Sequence, residues 1–326
     1  MKTIKRIATL TSGGDAPGMN AAVRAVVRTA LYHNLVPFGI YRGYEGLIDG
    51  DIRGLDNHSV ARIIQRGGTF LQSARSERFR TDEGLMEACG NLKKHDIDAL
   101  IVIGGDGTFR GAQALSEKCD VRMIGIPGTI DNDLYGTDFT IGYDTAINTV
   151  VEAVDKIRDT AGSHNRLFFI EVMGRDAGFI ALRSGIATGA EAILIPETET
   201  HIDELIEKLQ YNRRKSKTSG IIIVAEGDDA GGAYQIAQKV SEKFDGYSTR
   251  VTVLGHVQRG GAPSCMDRVL ASELGFASIT ALLDHKHNVM IGKNNKKIVF
   301  TPFEKATKHH NKINHQLLNM ARVLSM

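Results

Sequence analysis

The sequence predicts an α/β protein built on open, mainly parallel sheets in two lobes. Three observations predict it. Short apolar runs alternate with helix-patterned stretches along nearly the whole chain. Most of those runs are continuous rather than alternating, as in parallel strands covered on both faces. Glycine is high, at 35 of 326 residues, while proline is low, at 6. That balance suits tight turns and close backbone approaches rather than disordered linkers.

The strands are expected over Ile7–Leu10, Phe38–Tyr41, Ala99–Ile103, Met123–Ile126, Leu167–Val172, Ala192–Ile195, Ile221–Ala225 and Val251–Leu254. Between them the helical period predicts Met19–Tyr32, Ser59–Gln65, Thr81–His95, Thr145–Thr160, Ile202–Asn212, Ala233–Phe244 and Asp267–Leu283. No repeat, low-complexity segment or Pro/Ser-rich linker divides the chain, so the lobes are expected to exchange chain more than once. The crossings fall near residues 138–160 and again from about 251. The polar tail from Asn294, with His309, His310 and His315, reads as a solvated surface helix rather than a metal site.

Composition is ordinary for a globular protein, 42% apolar and 24% charged, and the formal net charge of +2 argues for neither nucleic acid nor an anionic membrane. Cys89, Cys119 and Cys265 are far apart and odd in number, so no disulfide framework is expected and a reducing cytoplasm suits the count. The apolar run after Lys5-Arg6 is too short for a signal peptide or a membrane span.

Three glycine-rich or acidic loops each follow a predicted strand. Gly13-Gly14-Asp15-Ala16-Pro17-Gly18 leads into the Met19 helix, where free N–H groups would meet an anion. It is neither a Walker A loop nor a dinucleotide fingerprint, and a plain strand-to-helix turn is the competing reading. Gly104-Gly105-Asp106-Gly107-Thr108 makes a backbone cradle for phosphates, and Asp106 offers a hard oxygen ligand for Mg²⁺. Pro127-Gly128-Thr129-Ile130-Asp131-Asn132-Asp133 holds two acids two residues apart, which would face one side if the segment were extended. That spacing suits a proton acceptor beside a metal-holding or orienting carboxylate, against an Asx-rich turn as the bland alternative.

Cations that could offset charge on a transferred phosphoryl group stand in strand-end loops: Arg75, Arg166, Arg175, Arg250, His256 and Arg259. Glu226, after a strand, could take hydrogen bonds from sugar hydroxyls. Arg24 and Arg28, one turn apart on a helix, fit an anion site or a solvated face.

These loops, with Met173-Gly174-Arg175 and Gly255-His256-Val257-Gln258-Arg259-Gly260-Gly261, closely resemble the bacterial ATP-dependent 6-phosphofructokinases from about residue 5 to 290. The resemblance implies two Rossmann-like lobes with the active site in the cleft between them. A larger ATP-binding lobe would span 1–138 plus about 251–301, and a smaller fructose 6-phosphate lobe 139–250 plus 302–326. It implies Asp131 as general base on the sugar 1-hydroxyl, Thr129 and Asp133 supporting the phosphoryl group, and Arg175 stabilising the transition state. Gly14, Arg75, Ser76, Gly105, Asp106, Gly107 and Thr108 would hold ATP, with Asp106 at Mg²⁺. Thr129, Ile130, Met173, Gly174, Glu226, His256, Val257, Gln258 and Arg259 would hold fructose 6-phosphate. Arg166 and Arg250 would reach its 6-phosphate from a neighbouring subunit of a homotetramer.

Pyrophosphate-dependent relatives typically carry Asp where Gly107 stands and Lys where Gly128 stands, so both glycines favour ATP. Arg24, Arg28, Arg158, Glu191, Lys215 and Lys217 match the family's effector site for ADP or phosphoenolpyruvate. Asn57, Arg62 and Ser219 depart from its usual residues.

Overall fold

Each apolar run of the sequence forms a strand in the computed structural model, which describes residues 4–163, 166–215 and 219–325. The strands are β1 (Arg6–Thr11), β2 (Val36–Ile40), β3 (Ile52–Gly54), β4 (Ala99–Gly104), β5 (Arg122–Pro127), β6 (Arg166–Val172), β7 (Ala192–Leu194), β8 (Gly220–Ala225), β9 (Ser248–Val253), β10 (Val289–Asn294) and β11 (Lys297–Pro302). The helices are α1 (Met19–Tyr32), α2 (Gly43–Asp49), α3 (Asp82–Lys94), α4 (Asp106–Lys118), α5 (Tyr143–Gly162), α6 (Phe179–Ala187), α7 (Ile202–Arg214), α8 (Ala233–Lys243), α9 (Cys265–Leu283), α10 (Phe303–Lys308) and α11 (His315–Leu324).

The chain divides into two compact units. The first comprises Met1–Ile130, Leu134–Thr145 and Arg259–Asn311; the second comprises Asp131–Asp133, Ala146–Gln258 and Lys312–Met326. In the first, the sheet order is β11-β10-β5-β4-β1-β2-β3. Strands β10, β5, β4, β1 and β2 pair parallel. The β4 run Ala-Leu-Ile-Val-Ile-Gly is buried throughout, as a central strand covered on both faces must be. Leu100, Val102, Phe109, Leu115 and Phe303 belong to the core on one side of this sheet. In the second unit all pairings of the sheet β7-β8-β6-β9 are parallel. Leu167, Phe169, Ile222, Val224, Ile236 and Val240 build its core.

The structure corrects several expectations. Ser59–Gln65 forms turns, not a helix. Asp56 accepts hydrogen bonds from both the backbone N–H and the hydroxyl of Ser59, and Arg62 lies at φ +55°, so side-chain bonding and a left-handed residue break the helical path. The tail after Asn294 is not simply a helix: β10 and β11 form an antiparallel hairpin, and His309 and His310 lie between α10 and α11. Short β3 also pairs antiparallel, with β2. Cys89 and Cys119 form a disulfide, with Cα atoms 5.6 Å apart, because folding sets α3 beside α4 and closes a separation of 30 residues. Cys265 is free and exposed.

Candidate active site

In the first unit, β5, β4 and β1 are adjacent, so the loops that follow them lie side by side at the carboxyl edge of the sheet. The chain from β1 goes to β2 on one side, while β4 flanks it on the other; this reversal is where open α/β sheets hold ligands. Backbone bonds lock the loops together: Ser12 N–H donates to the Ile103 carbonyl and Gly128 N–H to the Gly104 carbonyl, each at 3.0 Å. The Thr108 hydroxyl donates to the Ser12 carbonyl at 3.2 Å, and the Thr129 side chain lies near Gly105. Buried Tyr44 donates to the Thr108 carbonyl and stacks on Phe79, and its burial pushes the phenol well above its ordinary value.

Helices α1 and α4 both start on glycine, Gly18 and Gly105, which supply no side-chain cap. Side chains cap α3 (Thr81), α9 (Ser264) and α11 (Asn314), while α2, α6, α7, α8 and α10 also lack a cap from their own N-cap residue; at α6 and α8 a glutamate from elsewhere, Glu197 or Glu171, takes an N–H group instead. Two of the uncapped starts, those of α1 and α4, fall in the two glycine loops, where N–H groups and helix dipole can meet an anion. Asp106 is the first residue of α4. One carboxylate oxygen pairs with Arg110 at 2.9 Å, while Oδ1 is buried with no hydrogen-bond partner among the described residues. An unsatisfied buried carboxylate oxygen beside a phosphate cradle fits a magnesium ligand. Arg75 is exposed, and the Ser76 hydroxyl accepts the Phe79 N–H in a local turn.

The segment after β5 departs from the extended geometry expected of it. Asn132 lies at φ +55°, so Asp131 and Asp133 flank a left-handed turn instead of sharing one face of a strand. Asp131 is only 3% exposed, and the Thr140 hydroxyl holds the Thr129 carbonyl at 2.6 Å.

In the second unit the loops after β6, β8 and β9 are tied to one another. Glu226 Oε1 accepts the Gly174 and Arg175 N–H groups at 3.2 and 2.8 Å. Its carboxylate thus shapes the Met173-Gly174-Arg175 loop, a role not visible in sequence. Gln258 is fully buried; its amide accepts the Met173 N–H and donates to the Gly255 carbonyl, so it joins the β6 and β9 loops. His256 and Val257 are exposed. In the first unit Arg259 donates to the Asp15 carbonyl at 3.1 Å and packs on Gly14, where a Cβ would stand 2.6 Å from its guanidinium.

Arg166 and Arg250 lie apart from this loop cluster. Arg166 begins β6, and Arg250 pairs in register with Phe168, whereas Met173 follows the other end of the strand, seven residues and roughly 23 Å of extended chain beyond Arg166. Among the effector-site candidates, burial and the neighbouring Arg28 lower the Arg24 value from its ordinary one. Arg158 donates to the Thr188 carbonyl, Glu191 accepts from Asn212 at 2.8 Å, and the Lys215 ammonium lies 5.5 Å from the Tyr211 ring centroid. Lys217 and the His164-Asn165 pair before Arg166 lie outside the described residues.

Sequence reasoning missed Asp267. This buried carboxylate accepts the Gly142 and Thr145 N–H groups and the Thr145 hydroxyl, fixing the start of α5. The signal was available as Ser264-x-x-Asp267, a helix-start spacing. A groove of about 380 Å³ between α9 and the β10–β11 hairpin, lined by Phe276, Ala281, Ile298 and Phe300, contains none of these residues. Among the described residues no helix is long and apolar enough to cross a membrane.

Open parallel sheets with uncapped, glycine-started helices and basic loops at their carboxyl edges define a phosphate-handling α/β protein. The phosphofructokinase family model matches residues 6–282. The chain is 55% identical over 326 residues to the ATP-dependent 6-phosphofructokinase 2 of Bacteroides thetaiotaomicron, covering 100% of both chains. It is 54% identical to the ATP-dependent 6-phosphofructokinase of Brevibacillus brevis, over 99% of this chain and 100% of that one. Among solved structures it resembles a phosphofructokinase from Saccharomyces cerevisiae, with TM-score 0.88 and 39% identity, covering 98% of this chain but 46% of the yeast chain. A pyrophosphate-dependent phosphofructokinase from Marinobacter aquaeolei, 22% identical, shares the fold at TM-score 0.84 over 96% of this chain and 86% of its own. The chain belongs to the phosphofructokinase family.

Proposed function

We propose that this chain transfers the terminal phosphoryl group of ATP to the 1-hydroxyl of D-fructose 6-phosphate, giving fructose 1,6-bisphosphate and ADP, the committed step of glycolysis. The observation that carries the reading is the Gly104–Thr108 loop. It opens α4 without a side-chain cap and leaves Asp106 Oδ1 buried and unsatisfied.

The roles follow from what each group can do. Asp131 accepts the proton of the sugar hydroxyl as its oxygen attacks phosphorus. Backbone N–H groups at Gly14 and Gly105–Thr108, with Arg75 and Ser76, hold the nucleotide phosphates. Thr129 and Asp133 orient the transferred group, and Arg175 offsets the charge that spreads over it. Asp106 would hold Mg²⁺, which when bound neutralises phosphate charge. Met173, Gly174, Glu226, His256, Val257, Gln258, Arg259 and Ile130 form the sugar phosphate site, in part through the backbone that Glu226 and Gln258 hold. ATP binding belongs mainly to the first unit and sugar binding mainly to the second.

Arg166 and Arg250, at the opposite end of their sheet from Arg175, serve the 6-phosphate of a neighbouring copy in a homotetramer. Arg24, Arg28, Arg158, Glu191, Lys215 and Lys217 form an effector site for ADP or phosphoenolpyruvate. The setting is cytoplasmic. Gly107 supports ATP as donor. A Cβ there would meet nothing within 4 Å, so packing of the protein does not require the glycine, and a phosphate needs the space. At Gly128 a Cβ would stand 3.1 Å from Met19, so packing alone already favours glycine there.

Product analysis tests the reaction. With ATP and fructose 6-phosphate the purified protein is expected to form ADP and fructose 1,6-bisphosphate in equal amounts. ADP release at the same rate without the sugar phosphate would overturn the proposal.

A further inference from the structure

The loop that carries Arg175 is held at two places by carboxylates. At its start, Glu226 takes the Gly174 and Arg175 N–H groups. At its end, the Gly178 N–H points between both oxygens of Glu197, at 2.9 and 3.1 Å. Between them the Ala177 N–H closes a turn onto the Gly174 carbonyl at 3.0 Å. Arg175 itself lies at φ +54°, a left-handed conformation that a non-glycine residue keeps only when its surroundings over-determine it. Gly178 caps α6 without a side chain of its own, so Glu197, 19 residues downstream and after β7, supplies the missing acceptor. The site is also tight: a Cβ on Gly178 would stand 2.5 Å from Ile195 and 2.7 Å from Glu197.

We propose that Glu197 is a positioning residue for Arg175: it anchors the far end of the Met173–Gly178 turn and so keeps the guanidinium where phosphoryl transfer needs it. The proposal rests on the role given to Arg175 above. Two residues, Asp176 and Ala177, separate Arg175 from the anchored N–H, so releasing Gly178 loosens one of the two holds on the strained backbone. A misplacement of about 1 Å in a catalytic group can cost up to ~10²-fold in rate. The unit contains a matched control. Glu171 accepts the Ala233 N–H at 2.8 Å and caps α8 in the same remote way, but α8 carries no proposed catalytic group.

The test compares kcat, KM and Tm for Glu197→Ala, Glu197→Gln, Glu171→Ala, Arg175→Ala and the double variant Glu197→Ala/Arg175→Ala. Glu197→Ala is expected to lower kcat about tenfold or more with KM for ATP little changed. Glu197→Gln, whose amide oxygen still accepts the Gly178 N–H, recovers most of that. Glu171→Ala loses comparable Tm but keeps kcat within about twofold, and the double variant is no slower than Arg175→Ala. If Glu197→Ala fails to fold, Glu197→Asp, one methylene shorter, gives the same comparison. A kcat within about twofold of wild type, or a loss that adds in full to Arg175→Ala, overturns the positioning role. Normal turnover in Arg175→Ala would instead overturn the role of Arg175 itself.

Discussion

Asp131 owes its proposed role to where β5 ends and to the left-handed Asn132 that turns the chain after it. In the proposed reaction this buried carboxylate takes the hydroxyl proton. Asp131→Ser is therefore expected to lower turnover by about two orders of magnitude or more, measured by steady-state kinetics with saturating ATP. Gly107 makes a second residue-scale prediction. It lies in the first turn of α4, where alanine is worth up to about 1 kcal/mol over glycine, and a methyl group there meets no protein atom. Gly107→Ala should thus raise Tm slightly while raising KM for ATP several-fold, as thermal melts and kinetics would report. Both positions could be singled out in sequence because each lies just after its own strand. The hold of Glu226 on Gly174 and Arg175 was not, because the partners are some 50 residues apart and only the parallel pairing of β6 with β8 joins them.

At the scale of elements, α5 is fixed by a side chain from α9. Asp267 is 1% exposed and takes hydrogen bonds at Gly142 and Thr145, while Ser264 caps α9 and donates to Asp144. Burial pushes the Asp267 carboxyl above its ordinary value of 3.8, against the bonds from Thr145 and Gly142 that pull it down. A folded value above the unfolded one means that the stability tied to this group is complete below the unfolded value and falls as pH rises through the folded one. Asn does not titrate, so Asp267→Asn should be less stable than wild type, by about 1–3 kcal/mol, with the gap in Tm narrowing as pH rises from 4 toward 7. A gap that widens over that range would contradict the account. The same helices show what sequence could and could not give. The long periodic patterns of α1, α5 and α9 were readable, whereas Ser59–Gln65 has a helical apolar spacing that local Asp56–Ser59 bonding defeats. Short α6, held by Glu197 from a distance, had no local signal beyond its glycine.

For the whole molecule, the fold class was legible because parallel strands must be apolar on both faces, and β4, β6 and β8 say so in continuous runs. The antiparallel additions at the edges of the first sheet, β3 and the β10–β11 hairpin, were not. The edge strands β3 and β11 are mixed in polarity, as edge strands are, and β11 is largely exposed. The division into two units, each with charged loops at the carboxyl edge of its own sheet, matches a reaction with two anionic substrates. The donor is the claim on which the rest depends, since the glycine loops, Asp106 and Arg75 are all assigned to a nucleotide. The most direct measurement is the initial rate of fructose 1,6-bisphosphate formation from fructose 6-phosphate with ATP and with pyrophosphate as alternative donors. The account predicts turnover with ATP and a negligible rate with pyrophosphate; turnover with pyrophosphate alone would contradict it.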